Sequence, residues 1–213
     1  MLKVYGRANS INVRKVLWTL EEIGLPYERE DWGRGFRPLN DPEFLSINPF
    51  GLVPAIDDDG FILGESHAIA RYLAAKHGRD DLLPANLQMR GTVESWMEWQ
   101  GTEVANAHRA VVTAYVFNLQ QPGGQEAIDA SLAAWPKKMA VIENQLARTG
   151  AYITGPAFTL ADICIGLTVN RWFMTPTGIK PDFPAMTAYY DLLNERPGYQ
   201  KHGRNGTPIR AAA

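Results

Sequence analysis

Asn48-Pro49-Phe50-Gly51-Leu52-Val53-Pro54-Ala55-Ile56-Asp57-Asp58-Asp59-Gly60-Phe61-Ile62-Leu63-Gly64-Glu65-Ser66 is the stretch whose reading decides the fold. Val53 to Ile56 and Phe61 to Leu63 are short apolar runs, and the Asp57 to Gly60 segment between them ends in Asp-Gly, a pair that favours a tight hairpin turn. Pro54 stands at the head of the first run, where its missing N–H demotes the strand to an edge or demands a special geometry. Past the hairpin, Ser66 reads as the cap of a helix carrying Ala68, Ile69, Tyr72 and Leu73 on one face. The segment is therefore strand, turn, strand, helix.

Upstream, Leu2 to Tyr5 alternates and enters the loop Gly6-Arg7-Ala8-Asn9-Ser10. From Asn12, the residues Val13, Val16, Leu17, Leu20 and Ile23 recur at helical spacing until Gly24 and Pro26 stop the helix. Tyr27 to Trp32 reads as a second strand, and Gly33 to Pro42 as an exposed loop, a candidate lid. The N-terminal order is βαβ, then ββα. Downstream, Gly78 to Asn86 is polar, contains Pro84 and reads as a linker; everything beyond it is helical in pattern. The helices expected there run from Met89 to Leu119, Gln125 to Leu146, Thr159 to Phe173 and Pro184 to Glu195. Thr159 stands three residues before Asp162, with Phe158 and Ile163 spaced as a hydrophobic staple, which is a strong helix start. The fold class is thus α/β plus all-α, with domains at 1–80 and 87–205. The residues from Gly203 to Ala213 lack periodicity and are expected to be mobile or draped over the surface.

The chain has 213 residues, 46% of them hydrophobic and 21% charged, an ordinary composition for a folded soluble protein. Its 21 Lys+Arg against 23 Asp+Glu give a formal charge of -2, and no basic cluster offers the footprint that a phosphate backbone requires, so nucleic acid is not expected as a partner. With Cys164 alone, neither an intrachain disulfide nor a thiolate metal site can be built, which fits a reducing cytoplasm. The four His residues, His67, His77, His108 and His202, show no metal-ligand spacing. No secretory h-region opens the chain and no membrane span is expected.

Three places can carry chemistry. Ser10, with Asn12 close behind, sits where a strand ends and a helix begins, so its hydroxyl either caps the helix or faces an anion there. A cis bond before Pro54 would turn the N–H and C=O of Val53 toward an extended peptide that pairs as an added strand. Glu65-Ser66 opens a helix, where Ser66 and the terminal amides can hold a carboxylate while Glu65 pairs with an ammonium; the alternative is an ordinary cap beside a solvated acid.

Taken in order, Ser10 before NVRKVLWTLEEIGLPYE, then NPFGLVPAIDDDG, ESHAIARYLA and YITGPAFTLADICIG resemble the cytosolic glutathione transferase family, in its Ser-using, theta-like bacterial branch. The resemblance spans nearly the whole chain. It implies a thioredoxin-like N-terminal domain, an all-helical C-terminal domain, and a transferase that conjugates glutathione to small hydrophobic electrophiles, the chemistry of detoxification. It also implies that Pro54 is cis, that Val53 pairs through its backbone with the cysteinyl part of glutathione, and that Glu65 and Ser66 hold the γ-glutamyl head. Ser10 would donate to the sulfur, with Asn12 as a nearby donor and Tyr5 as the competing hydroxyl. Many relatives carry a Lys where this chain has Leu52, so the charge contact to the glycyl carboxylate is missing, and Arg37 is a substitute to consider.

The resemblance further implies glutathione as co-substrate without a metal, and a twofold homodimer in which a partner residue reaches the γ-glutamyl group, with Gln100 as a candidate. Trp32, His108, Arg109, Tyr115, Trp172 and Phe173 are candidates for the electrophile pocket, against the plainer reading of helical aromatics as core. Cys164 reads as a small buried hydrophobe. Glutathione-dependent isomerisation or dehalogenation, and a non-catalytic binding or stress protein, are the alternative functions.

Overall fold

β1 (Lys3–Tyr5) is the hub of a four-stranded sheet in the order β2-β1-β3-β4, in a computed structural model that describes residues 1–178 and 180–204. β1 runs parallel to β2 (Glu28–Glu30) and antiparallel to β3 (Ala55–Asp58), which pairs antiparallel with β4 (Phe61–Gly64). The parallel pair needs a crossover, and α1 (Ile11–Ile23) supplies it, ending on Gly24 in the left-handed conformation. The hairpin turn is Asp59-Gly60, both at positive φ, as the tight turns that match strand twist require. The strand begins at Ala55, two residues later than the apolar run, because Pro54 has no N–H to give the ladder.

α3 (Ser66–Lys76) lies on α1, and Val13, Val16, Leu17 and Leu20 of α1 share one buried cluster with Ile69 and Leu73 of α3 and with Leu2, Val4 and Ile56 of the sheet. Glu65 occupies the N-cap position, so Ser66 is the first helical residue and not the cap that the pattern suggests. One helix escapes the sequence reading: α2 (Pro42–Ile47), which starts at the last residue of the expected loop and runs through residues given no element. Its signal is local, since Asp41 accepts from the Glu43 N–H at the N-cap and Pro42 takes the first turn. Six residues with one buried apolar anchor, Phe44, carry too little periodicity to register.

Residues 1–86 with 197–204 form one compact unit and residues 87–196 another. In the first, residues 199–203 form a π-turn seated on α1. Tyr199 packs on Trp18 with ring centroids 5.1 Å apart, Arg14 donates to the carbonyls of His202 and Gly203, and Gly198 admits the indole of Trp18, which a Cβ would meet at 2.6 Å. Burial holds the Arg14 guanidinium down at about 10 and the His202 ring down at about 4. The expectation for the terminal residues falls, from 205 onward, outside the described residues.

The second unit holds α4 (Leu87–Trp99), α5 (Ala105–Val111), α6 (Gly124–Thr149), α7 (Leu160–Met174) and α8 (Pro184–Asn194). The single helix expected over 89–119 is interrupted by π-turns at Gln100–Val104 and Val112–Val116. α7 is buried along almost its whole length. Its start is a capping box: Asp162 accepts from the Thr159 N–H (2.9 Å) and Thr159 Oγ1 (3.1 Å). The same carboxylate accepts from the Ile153 N–H (2.8 Å) and the Tyr189 hydroxyl (3.0 Å). Complete burial pushes its carboxyl up to about 6 against the pull of these donors. Phe158 and Ile163, the expected staple pair, are both buried.

Candidate functional site

Ser10 is the N-cap of α1, with extended backbone angles. Its carbonyl accepts the first helical bond, from the Arg14 N–H at 2.9 Å, but its hydroxyl makes no capping bond and the first turn carries no acid. The amides of the first turn therefore present an uncompensated positive end. α3 begins the same way. Glu65 makes no side-chain cap, no acid follows in the first turn, and the Ser66 hydroxyl makes no hydrogen bond among the described residues. Two helix N-termini of one unit are thus left without caps, each with a Ser whose hydroxyl is uncommitted.

Glu65 takes φ +66 and ψ 113. Such a backbone costs a non-glycine residue on the order of 1–3 kcal/mol, and the strain is held because β4 ends at Gly64 and the helix begins at Ser66, leaving one residue to make the corner. The result is a Glu65 side chain exposed beside the buried Ser66.

Between the two termini runs the Val53-Pro54 step, whose peptide bond is cis. Val53 lies ahead of the β3 ladder, and neither its N–H nor its C=O forms a hydrogen bond among the described residues. Gly6 brings the Ser10 loop against it. At φ +142 a side chain is strained, and a Cβ would meet Val13 Cγ2 at 2.6 Å and Val53 Cβ at 3.0 Å, so only glycine lets the β1–α1 loop and the Val53 segment approach. One partly buried backbone with free donor and acceptor, flanked by two uncapped helix ends, suits a short peptide with anionic groups.

The family profiles described as "Glutathione S-transferase, N-terminal domain" and "Glutathione S-transferase, C-terminal domain" match residues 9–76 and 125–192. The chain is 38% identical over 203 residues to glutathione S-transferase GstB of Escherichia coli K12, covering 94% of this chain and 97% of that protein. The chain belongs to the glutathione S-transferase family. Glutathione S-transferase 4 of Zea mays is 32% identical over 204 residues, covering 94% and 91% of the two chains. Among solved structures, the theta class glutathione S-transferase of Xanthomonas axonopodis pv. citri with glutathione bound superposes with a TM-score of 0.85 at 32% identity, over 99% of this chain and 98% of that one. The thioredoxin-like first domain and helical second domain, and the transferase class with conjugation of glutathione to electrophiles as its general reaction, follow from the membership.

Within this glutathione S-transferase, a residue that the sequence reading misses organises the Val53 step. Asn48 is buried, donates from Nδ2 to the Leu52 carbonyl at 2.7 Å and accepts at Oδ1 from the Phe50 N–H at 3.2 Å. This Asx turn pins the three residues ahead of Val53; its signal is the Asn-Pro dipeptide, which initiates turns. Asn48→Ala is expected to free the Leu52 carbonyl and raise the KM for glutathione roughly fivefold, about 1 kcal/mol for one lost hydrogen bond. Initial rates against glutathione concentration check this; an unchanged KM would make Asn48 a packing residue only.

At Leu52 the side chain is exposed. Arg37 is already engaged, stacked 3.8 Å over Trp32, ion-paired to Glu30 at 3.0 Å and bonded to Glu43. Asn12 is exposed in the first turn of α1. Tyr5 is buried in a cluster with Trp32, Phe44 and Ala55, and burial raises its phenol above the ordinary range. Several electrophile-pocket candidates are core residues: Trp32 packs on Phe44, and Trp172 packs edge-on against Trp135. His108 is buried against Trp135, Phe173 packs on Tyr190, Arg109 donates to Asn106 Oδ1, and Tyr115 is exposed. Gln100 is buried and donates to Thr168 Oγ1 at 3.0 Å. Cys164 is buried, as a small hydrophobe would be. Among the described residues no group of His, Cys, Asp or Glu is arranged to hold a metal, and no helix is long and apolar enough to cross a membrane.

Proposed function

We propose that residues 1–80 bind glutathione and that the chain, with its helical domain beginning at residue 87, conjugates the thiolate to small hydrophobic electrophiles by substitution or conjugate addition. The observation that carries this reading is the pair of uncommitted hydroxyls, Ser10 and Ser66, at two uncapped helix N-termini flanking the unpaired backbone of Val53. The bound tripeptide supplies the nucleophilic thiol, whose reference pKa of about 8.5 leaves it mostly protonated at neutral pH. Ser10 donates its hydroxyl to the sulfur and the positive end of α1 favours the anion, so the protein lowers the thiol pKa without ionising Ser10. Asn12 stands by as a second donor. Val53 pairs with the cysteinyl amide and carbonyl, with Pro54 and Leu52 shaping the turn. Ser66 and the first amides of α3 hold the γ-glutamyl carboxylate, while Glu65 pairs with its ammonium.

The family resemblance supports a twofold homodimer, and the exposed Phe50 and Leu52 beside the site give it apolar surface to cover. A single buried cysteine supports the cytoplasm as its compartment.

Retention on immobilised glutathione, followed by turnover of a chloro-nitroaromatic substrate and light scattering of the eluted protein, tests the reading. Retention, turnover and a dimeric mass are expected. No retention would sink the glutathione reading, retention without turnover would favour the non-catalytic protein, and a monomer at micromolar concentration would remove the dimer.

A further inference from the structure

We propose that Lys15 and His67 are positioning residues that hold the two ends of the glutathione site in register. The inference rests on the glutathione reading above. Lys15 is in the second turn of α1, five residues after Ser10, and His67 directly follows Ser66 at the start of α3. Their side chains meet in the interior, Lys15 Nζ to His67 Nε2 at 2.8 Å, with Lys15 3% and His67 9% exposed. An ammonium only donates, so the ring nitrogen is the acceptor.

The geometry gives this contact a task beyond cohesion. α1 and α3 are held side by side by the apolar cluster of Val13, Val16, Leu17, Leu20, Ile69 and Leu73. Interdigitated apolar side chains set the coarse register of the two helices, but the hydrophobic driving force behind them is non-directional and resists a small axial slip only through packing. A charge-assisted hydrogen bond is directional. Placed within about 1.5 turns of both N-termini, it sets the axial offset between them. That offset is the separation between the Ser10 hydroxyl, which serves the thiol end, and the Ser66 hydroxyl, which serves the γ-glutamyl end. Binding sites require positions held to roughly 0.5 Å. Burying a lysine is also costly unless it is hydrogen-bonded, and an apolar pair would join the helices equally well, so the directional hydrogen bond is better explained by position than by cohesion.

The test is steady-state kinetics of the full-length protein with glutathione varied, alongside thermal unfolding. His67→Leu and Lys15→Met are expected to raise the KM for glutathione about tenfold, with kcat within about twofold, because saturating co-substrate restores the offset. His67→Gln, whose amide oxygen can accept from Lys15, is expected to recover most of the KM. The double variant Lys15→Met/His67→Leu rebuilds an apolar contact; it is expected to unfold near the wild-type temperature yet keep the raised KM. Variants that lose thermal stability but keep the wild-type KM would overturn the proposal, as would a Gln variant no better than Leu. A wild-type protein that binds no glutathione would overturn the parent reading and this one with it, whereas wild-type binding with unaltered variants would overturn this one alone.

Discussion

Ser10→Ala is expected to shift the pH–rate profile for conjugation toward alkali by about 1–2 units and to lower kcat at neutral pH by about 10- to 100-fold. A hydrogen bond to a charged acceptor contributes about 1.5–3 kcal/mol, and 1.36 kcal/mol is one pKa unit. The sign follows from the species stabilised. The hydroxyl favours the thiolate, so its removal raises the bound thiol's pKa and the thiolate fraction at pH 7 falls. The affinity for glutathione should change little, since the Val53 backbone and the Ser66 end of the site are untouched. The ultraviolet absorbance of bound thiolate against pH measures the shift directly. A profile that does not move would transfer the role to Tyr5 or Asn12. Of these, Asn12 shares the first turn of α1, while the Tyr5 phenol is packed among Trp32, Phe44 and Ala55.

Asp162→Ala should be the most damaging single substitution for stability, at about 4 kcal/mol, and should lower the yield of folded protein. The carboxylate serves two buried backbone N–H groups, of Ile153 and Thr159, and the hydroxyls of Thr159 and Tyr189. Alanine takes the acceptor away from the Ile153 and Thr159 N–H groups, while the Tyr189 hydroxyl keeps the Asp162 carbonyl at 3.3 Å and Thr159 Oγ1 keeps Thr154 Oγ1 at 3.3 Å, and each unsatisfied buried group costs about 1–3 kcal/mol. The Asp162→Asn variant retains one acceptor oxygen and should lose roughly half as much. The pH dependence adds a signature. With its carboxyl at about 6 in the folded protein, above the unfolded value of about 3.9, the native state binds this proton more tightly than the unfolded chain. The stability from this group is therefore full below about pH 4, declines as pH rises through 6, and is level above. Chemical denaturation at pH 4, 5, 6 and 7 should show that slope in the wild type and its absence in Asp162→Asn; an identical slope in both would assign it to another group.

Legibility in the sequence follows the range of the interaction. The α1 pattern, the Asp-Gly turn and the Thr159–Asp162 capping box are readable because each is decided within four or five residues by periodicity, φ preference or a local cap. α2 is not, because six residues with a single buried anchor cannot show a period. The long run after Met89 reads as one helix because an apolar stripe does not reveal the π-turns at Gln100 and Val112, which shift the stripe without breaking it. Arg37 reads as a spare cation, yet its partners Glu30, Glu43 and Trp32 are recruited through an isolated bridge between Trp32 and Arg37 that no local pattern announces.

By itself the sequence determined the α/β and helical halves, the family, and the candidate positions Ser10, Val53, Pro54, Glu65 and Ser66, because motif order and helix starts are properties of neighbouring residues. Only the tertiary structure decided how those positions relate. Gly6 must lack a side chain because Val13 and Val53 arrive there from different parts of the chain. Lys15 meets His67 only because α1 and α3 pack side by side. Contacts between residues 52 positions apart depend on how the whole sheet and its helices close around one core, and periodicity along a single element carries no information about that closure.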